Sequence, residues 1–106
     1  MSNSSTIKRK NHLTHCEDGP AVTHPDGSRM WYMYGVKHRL DGPAVEWADG
    51  TKEWWVAGFR HRKKGLAIEH PDGTGLNFYS DQAAKFEKLT NIIDLGSWLK
   101  SNRSHY

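Results

Sequence analysis

The chain has a single cysteine, Cys16, in 106 residues. A lone thiol cannot form an intramolecular disulfide, so a reducing cytoplasm is the expected home. Long apolar runs are also missing. Nothing approaches the ~20 residues of a membrane span, and the opening MSNSSTIKRKNHLTH has no apolar segment of signal-peptide length. A soluble cytoplasmic protein with no membrane partner is expected. Apolar residues make up only 36 % of the chain, so any core is modest. Five Trp, four Tyr and three Phe must supply much of it. Neither sign of charge dominates: the net charge is +3 with seven His neutral. That excess permits an acidic protein surface or nucleic acid as partner and demands neither. The G-x-S-x-G, H-E-x-x-H, C-x-x-C and P-loop patterns are absent as well. Nothing in the sequence points to an enzyme, a cofactor or a bound metal.

What is there is a repeat. Asp18-Gly19-Pro20-Ala21-Val22 returns 23 positions later as Asp41-Gly42-Pro43-Ala44-Val45, and again as Lys64-Gly65-Leu66-Ala67-Ile68. The same offset relates Asp26-Gly27-Ser28, Asp49-Gly50-Thr51 and Asp72-Gly73-Thr74, as well as His15, His38 and His61. A fixed period of this length marks a repeat architecture. Each copy has a short β-prone run, an Asp-Gly turn, a longer run (28–34, 51–57, 74–79) and a second turn at Gly35 or Gly58. Asp-Gly between such runs is a hairpin signal, because Gly takes the positive φ that other residues resist.

The spacing predicts a mainly β (α+β) fold: three 23-residue hairpin repeats in an antiparallel meander of about six strands, one hairpin per repeat. Residues 1–12 read as a flexible basic arm, 13–80 as the sheet, 81–102 as a helical cap and 103–106 as a frayed tail, all within one domain. In the cap, Ser80 or Asp81 can start a helix. Ala83, Phe86, Leu89 and Ile93 form one apolar stripe; Ile92, Leu95, Trp98 and Leu99 form another. Gly96 interrupts the pattern, which gives one kinked helix or two short ones. They are expected to close the open end of the sheet. Period-two alternation puts Trp31 and Trp54 on one face and Tyr32 and Trp55 on the other. At least one face therefore needs cover.

The pattern H-R-x-D-G-P-A-V-x-W-x-D-G-T-x-x-W-W-x-x-G of the central copy resembles the MORN family of short β-hairpin repeats. More closely, it is similar to a variant found in small proteins of tailed bacteriophages. The likeness spans residues 15 to 79; the first copy has Cys16 in place of Arg39 and Arg62, and the third has Leu66 for Pro and Asn77 for Trp. The resemblance implies a scaffold for binding or assembly and a phage origin. A phage accessory protein that binds and inhibits or redirects a host protein, such as a counter-defence factor, follows from it as an expectation.

Candidate chemistry is sparse. Equivalent residues of successive hairpins lie roughly 9–10 Å apart, whereas zinc needs ligands about 2 Å from one centre. The aligned histidines therefore read as turn residues whose rings bond a backbone group. The turn aspartates read the same way. The informative residues are basic and aromatic. Lys37, Arg39, Arg60, Arg62, Lys63 and Lys64 fall in equivalent connections and predict one basic rim. Trp31 and Trp54, with Lys52 in register beside the latter, predict an aromatic face. Such a surface suits a protein hot spot or stacked bases of RNA or single-stranded DNA. A structural role through sheet-edge oligomerisation is the third expectation.

Overall fold

The computed structural model describes residues 4–103. The first three residues of the expected arm and the last three of the expected tail lie outside them. The molecule is mainly β, as the repeat predicts, but each copy is built differently from a single hairpin. The long runs of the first two repeats are broken at Trp31 and Trp54. In the first repeat β4 (Val22–Thr23) pairs with β5 (Arg29–Met30), and a second hairpin joins β6 (Tyr32–Met33) to β7 (Val36–Lys37). The second repeat copies this with β8 (Val45–Glu46), β9 (Lys52–Glu53), β10 (Trp55–Val56) and β11 (Phe59–Arg60). The third has only the first hairpin, β12 (Ile68–Glu69) and β13 (Gly75–Leu76).

The arm is a correction to the sequence reading. Thr6–Ile7 is β1 and pairs with β4; Arg9–Lys10, β2, pairs with Leu13–Thr14, β3. Thr6 stands 23 positions before Arg29, so residues 6–14 correspond to the second half of a repeat. Its turn, Asn11-His12, has φ of 52° and 68°. The equivalent turns are Tyr34-Gly35 (52°, 82°) and Ala57-Gly58 (52°, 87°). Two central residues at positive φ define the two-residue hairpin turn that matches strand twist. The N-terminal copy reaches it without glycine, which concealed it in the sequence.

The first hairpins make one seven-stranded antiparallel sheet in the order β1-β4-β5-β8-β9-β12-β13. Its tips repeat one device. Asp26, Asp49 and Asp72 each accept the N–H two residues on, at 2.8, 2.8 and 2.9 Å. Those bonds hold the three carboxyls below their ordinary pKa; for Asp72 the Thr74 hydroxyl contributes most. Gly75 replaces the Arg29 and Lys52 of the earlier copies. A Cβ there would lie 1.9 Å from the Ile68 carbonyl oxygen, so the last strand can approach β12 only as glycine.

The helical segment forms two short helices, α1 (Asp81–Lys88) and α2 (Leu95–Arg103). Arg103 thus continues a helix that the sequence reading ended at 102. The Ser80 hydroxyl accepts the Ala83 N–H at 3.2 Å and caps α1. Asp94 accepts the Ser97 N–H at 2.7 Å at the start of α2, and the bond lowers the Asp94 pKa. Gly96 lets the Tyr34 ring lie against α2, since a Cβ would meet its Cζ at 3.1 Å. Phe86, Ala83, Leu95, Trp98 and Leu99 pack on Val56 and Ala57, with Met33, Tyr34 and Val36 beside them. The helices therefore lie over the turns of the second hairpins. They do not close the end of the sheet: Leu76 on β13 remains 56 % exposed, and Ile92, placed on the apolar stripe by its spacing, is exposed as well.

Phe86 is the centre of that contact, edge-on to His38 at 5.5 Å and tilted to Trp98 at 5.8 Å. Phe86→Ala is expected to cost about 3–5 kcal/mol, the usual range for a buried aromatic. Denaturant unfolding of the two proteins measures it.

Candidate interaction surface

Two of the three arginines of the expected rim, Arg39 and Arg62, are internal braces. The Arg39 guanidinium lies 3.9 Å over the Trp31 ring, and Arg62 lies 3.8 Å over Trp54. Each also closes its own loop: Arg39 Nη1 donates to the Pro43 carbonyl and Arg62 Nη1 to the Leu66 carbonyl, both at 3.0 Å. Arg39 adds bonds to Asp41 at 3.1 Å and Glu46 at 3.3 Å. Glu46 also pairs with Arg29. A Cβ on Gly42 would come within 3.0 Å of the Arg39 guanidinium, and one on Gly65 within 2.9 Å of Arg62. The glycine of the Asp-Gly-Pro-Ala motif is thus the floor on which the guanidinium lies. In the first copy Cys16 takes the arginine position, and its thiol donates to Asp18 at 3.1 Å. That bond, more than any other contact, lowers the Asp18 pKa.

A second row of rings and cations runs across the other hairpins. Tyr32 lies opposite Lys37, and Trp55 opposite Arg60. Lys37 Nζ sits 4.6 Å from the Trp55 ring centre. Arg60 sits 4.9 Å from Trp55 and 5.0 Å from Phe78. Glu53 ties the row to its neighbours by accepting from the Trp55 indole at 2.9 Å and the Trp47 indole at 2.7 Å. Among the described residues the Arg60 Nε has no acceptor. Cations over ring faces contribute about 0.5–1 kcal/mol each at exposed sites. Sequence reading missed Tyr32, Trp55 and Phe78 as partners of Lys37 and Arg60. The signal was present, because residues that flank a two-residue turn at equal distance face each other across a hairpin.

The remaining predicted residues scatter. Lys63 and Lys64 follow Arg62 in an exposed loop and have no ion-pair partner among the described residues. Lys52 is elsewhere, in a cleft of about 430 Å³ near the hairpin tips, with Asp26, Glu46 and Trp47. The structure thus joins Lys37 and Arg60 through Trp55, covers the half-buried Trp31 and Trp54 with Arg39 and Arg62, and separates Lys52 from both.

The histidines carry out the structural role their alignment suggests. His15, His38 and His61 are buried, and each Nδ1 accepts a backbone N–H, from Tyr34 (3.0 Å), Ala57 (2.9 Å) and Ser80 (2.9 Å). An accepting Nδ1 places the ring proton on Nε2. In His61 that nitrogen lies 2.9 Å from the Glu87 carboxylate of α1, so the ring bridges sheet and helix. Among the described residues no group of His, Cys, Asp and Glu is arranged to hold a metal. Comparison with protein-family models, with curated proteins and with solved structures returned no match. The resemblance to MORN-type repeats therefore rests on the repeat pattern itself.

Burial pushes the His38 imidazole down from 6.5 to about 4. Its neutral form belongs to the fold, while the unfolded chain takes up a proton below 6.5. Stability contributed by His38 is thus complete above pH 6.5 and is lost as pH falls towards 4. The gap corresponds to about 3 kcal/mol. Unfolding measured across this range in wild type and in His38→Gln, which keeps an acceptor without titrating, is expected to diverge by that order. Parallel curves would remove His38 as the cause.

Proposed function

We propose that the chain is a non-enzymatic binding module that docks on an acidic surface of another protein. The row Lys37, Trp55, Arg60 and Phe78, together with the free Lys63 and Lys64, forms the contact. The observation that carries this reading is the filling of the aromatic faces. Arg39 and Arg62 cover Trp31 and Trp54, and Lys37 and Arg60 lie over Trp55. Bases stack on open ring faces, and here the protein's own cations occupy them. A surface of ring edges and cation heads has instead the composition of a protein hot spot. Charge of one sign in a loop speeds encounter with an oppositely charged patch.

Taken with the resemblance to phage repeat proteins, the partner is a host protein, and the effect is inhibition or redirection by occlusion. Direct binding of RNA or single-stranded DNA is the runner-up, supported by the unpaired lysines and the net positive charge. Capture of partners from a bacterial lysate with and without nuclease separates the two. A protein retained in both arms supports the module as proposed. A partner lost with nuclease transfers the site to nucleic acid, and its affinity then falls steeply with salt.

With a retained partner in hand, Lys63→Glu/Lys64→Glu is expected to weaken binding at least tenfold and leave the unfolding curve unchanged. Arg62→Ala is expected to lower stability, since it uncovers Trp54 and frees the Leu66 carbonyl. Wild-type affinity in the double reversal rules out the loop as contact.

A further inference from the structure

The repeat array ends on an unfinished pairing. In the interior, every strand of the β5 type has two neighbours. Its outer side always meets the first strand of the next copy in one register. Ile7 faces Val22, Met30 faces Val45 and Glu53 faces Ile68. Beyond each pair the next N–H of the strand donates to an alanine carbonyl: Lys8 to Ala21 (2.7 Å), Trp31 to Ala44 (2.7 Å) and Trp54 to Ala67 (2.8 Å). Three interfaces thus show the same acceptor strand, Ala followed by Val or Ile. At β13 the pattern stops. The next N–H, on Asn77, has no acceptor among the described residues.

The described residues do not supply the missing strand. Thr90 and Asn91 stand one period after Ala67 and Ile68. They turn away instead: the Thr90 hydroxyl donates to Glu87, and the Ile92 and Ile93 N–H groups both return to the Leu89 carbonyl at 2.9 Å. A second copy does not supply it either. Its strands of the acceptor type, β4, β8 and β12, are each paired on both sides.

The two ends of the sheet also differ in protection. The run after β1 carries Lys8, Arg9 and Lys10, and edge charge of this kind discourages pairing. From Gly75 to Ser80 the chain has no charged residue. Leu76 and Tyr79 are exposed there, Tyr79 to 63 %. Gly75 stands where the other copies carry Arg29 and Lys52, so this strand lacks their charge. We propose that the open edge of β13 accepts an extended segment of a partner protein as an eighth, antiparallel strand. The segment carries a small residue, whose carbonyl takes the Asn77 N–H, then a β-branched residue opposite Leu76. Main-chain bonds hold such an added strand and the alternate side chains select it. The pairing uses the Asn77 amide and the Leu76 side chain and neither Lys63 nor Lys64, so charge reversal at those lysines leaves it intact.

A capped peptide with the sequence of residues 42–48, GPAVEWA, contains the acceptor strand of the array and serves as the probe. It is titrated into the full chain and followed by amide NMR. The expected result is saturable shifts confined to residues 74–79, with slowed exchange of the Asn77 amide. Asn77→Pro removes the outward donor while edge strands tolerate proline, and it is expected to weaken the peptide at least tenfold. Leu76→Lys changes only an exposed side chain and is expected to do the same, which guards against a misfolded proline variant. Shifts centred on β1, no saturable shift up to millimolar peptide, or unchanged affinity in a folded variant would each overturn the proposal. So would concentration-dependent dimers mapping to residues 74–79 without peptide, because the occupant would then be a second copy.

Discussion

A buried imidazole accepts a backbone N–H nineteen residues downstream, three times in succession. The rest of the architecture depends on that bond. In the first two copies the donor is Tyr34 or Ala57, the first residue of a hairpin turn at φ 52°. A side chain other than glycine, asparagine or aspartate resists this conformation. Its N–H also points away from the ladder, so without a partner it would be stranded where α1 and α2 pack. The histidine answers both needs. It satisfies the donor and fixes the turn against the chain that leaves the preceding hairpin, so neighbouring hairpins are tied by a side chain as well as by their strands. In the third copy the donor is Ser80, whose backbone is extended and whose hydroxyl caps α1. One histidine position thus holds two hairpin turns and then the start of a helix. The chain leaves the repeat at the point where the repeat would have turned.

Arginine supplies the second tie, and it accounts for the fate of the expected binding face. A sheet one layer thick cannot leave Trp31 and Trp54 in water without cost. A helix would be the usual cover, but both helices are committed to the turn row. The guanidinium is planar, carries donors at its rim and stacks readily on aromatic rings. Arg39 and Arg62 therefore cover the rings from above while their Nη1 groups hold the loop carbonyls. Stacking and hydrogen bonding act together, because the carbonyl lies beside the ring only when the Gly-Pro turn is made. Residues of binding-site composition are here consumed by folding, which leaves the row around Trp55 as the proposed contact.

Much of this was legible in the chain. The 23-residue offset, the Asp-Gly tips, the structural histidines and the Ser80 cap follow from spacing and from the chemistry of single residues. The break within each long strand was not legible. Trp31 and Trp54 sit in an unbroken aromatic run, and alternation continues across the point where pairing changes from the sheet to the second hairpin. The N-terminal half-copy was hidden for a different reason: Asn11-His12 makes the turn without glycine, and Lys8-Arg9-Lys10 has the composition of a solvated arm. The arginine braces were illegible because each joins two copies, Arg39 of the second covering Trp31 of the first. A residue's neighbour across a repeat boundary is not written in the motif.

The placement of the helices gives the array a direction. Had they stacked on β13, they would have ended the sheet as a capping repeat does. Instead they bury Val56 and Ala57 and reach the sheet through the Glu87 and His61 pair. Stability is drawn from the side of the array, so the ends are relieved of that task. The β1 edge is followed by three consecutive cations; the β13 edge is short, uncharged and pressed close to β12 by Gly75. Two residues of strand are too few to nucleate pairing between unfolded chains, yet they continue a ladder already seven strands wide. An edge of that kind is quiet towards copies of itself, whose matching strands are all engaged, and complete in every respect but one donor. The asymmetry follows from the fold, because a row of turns covered by helices fixes which side of the sheet is closed and leaves its two edges to differ.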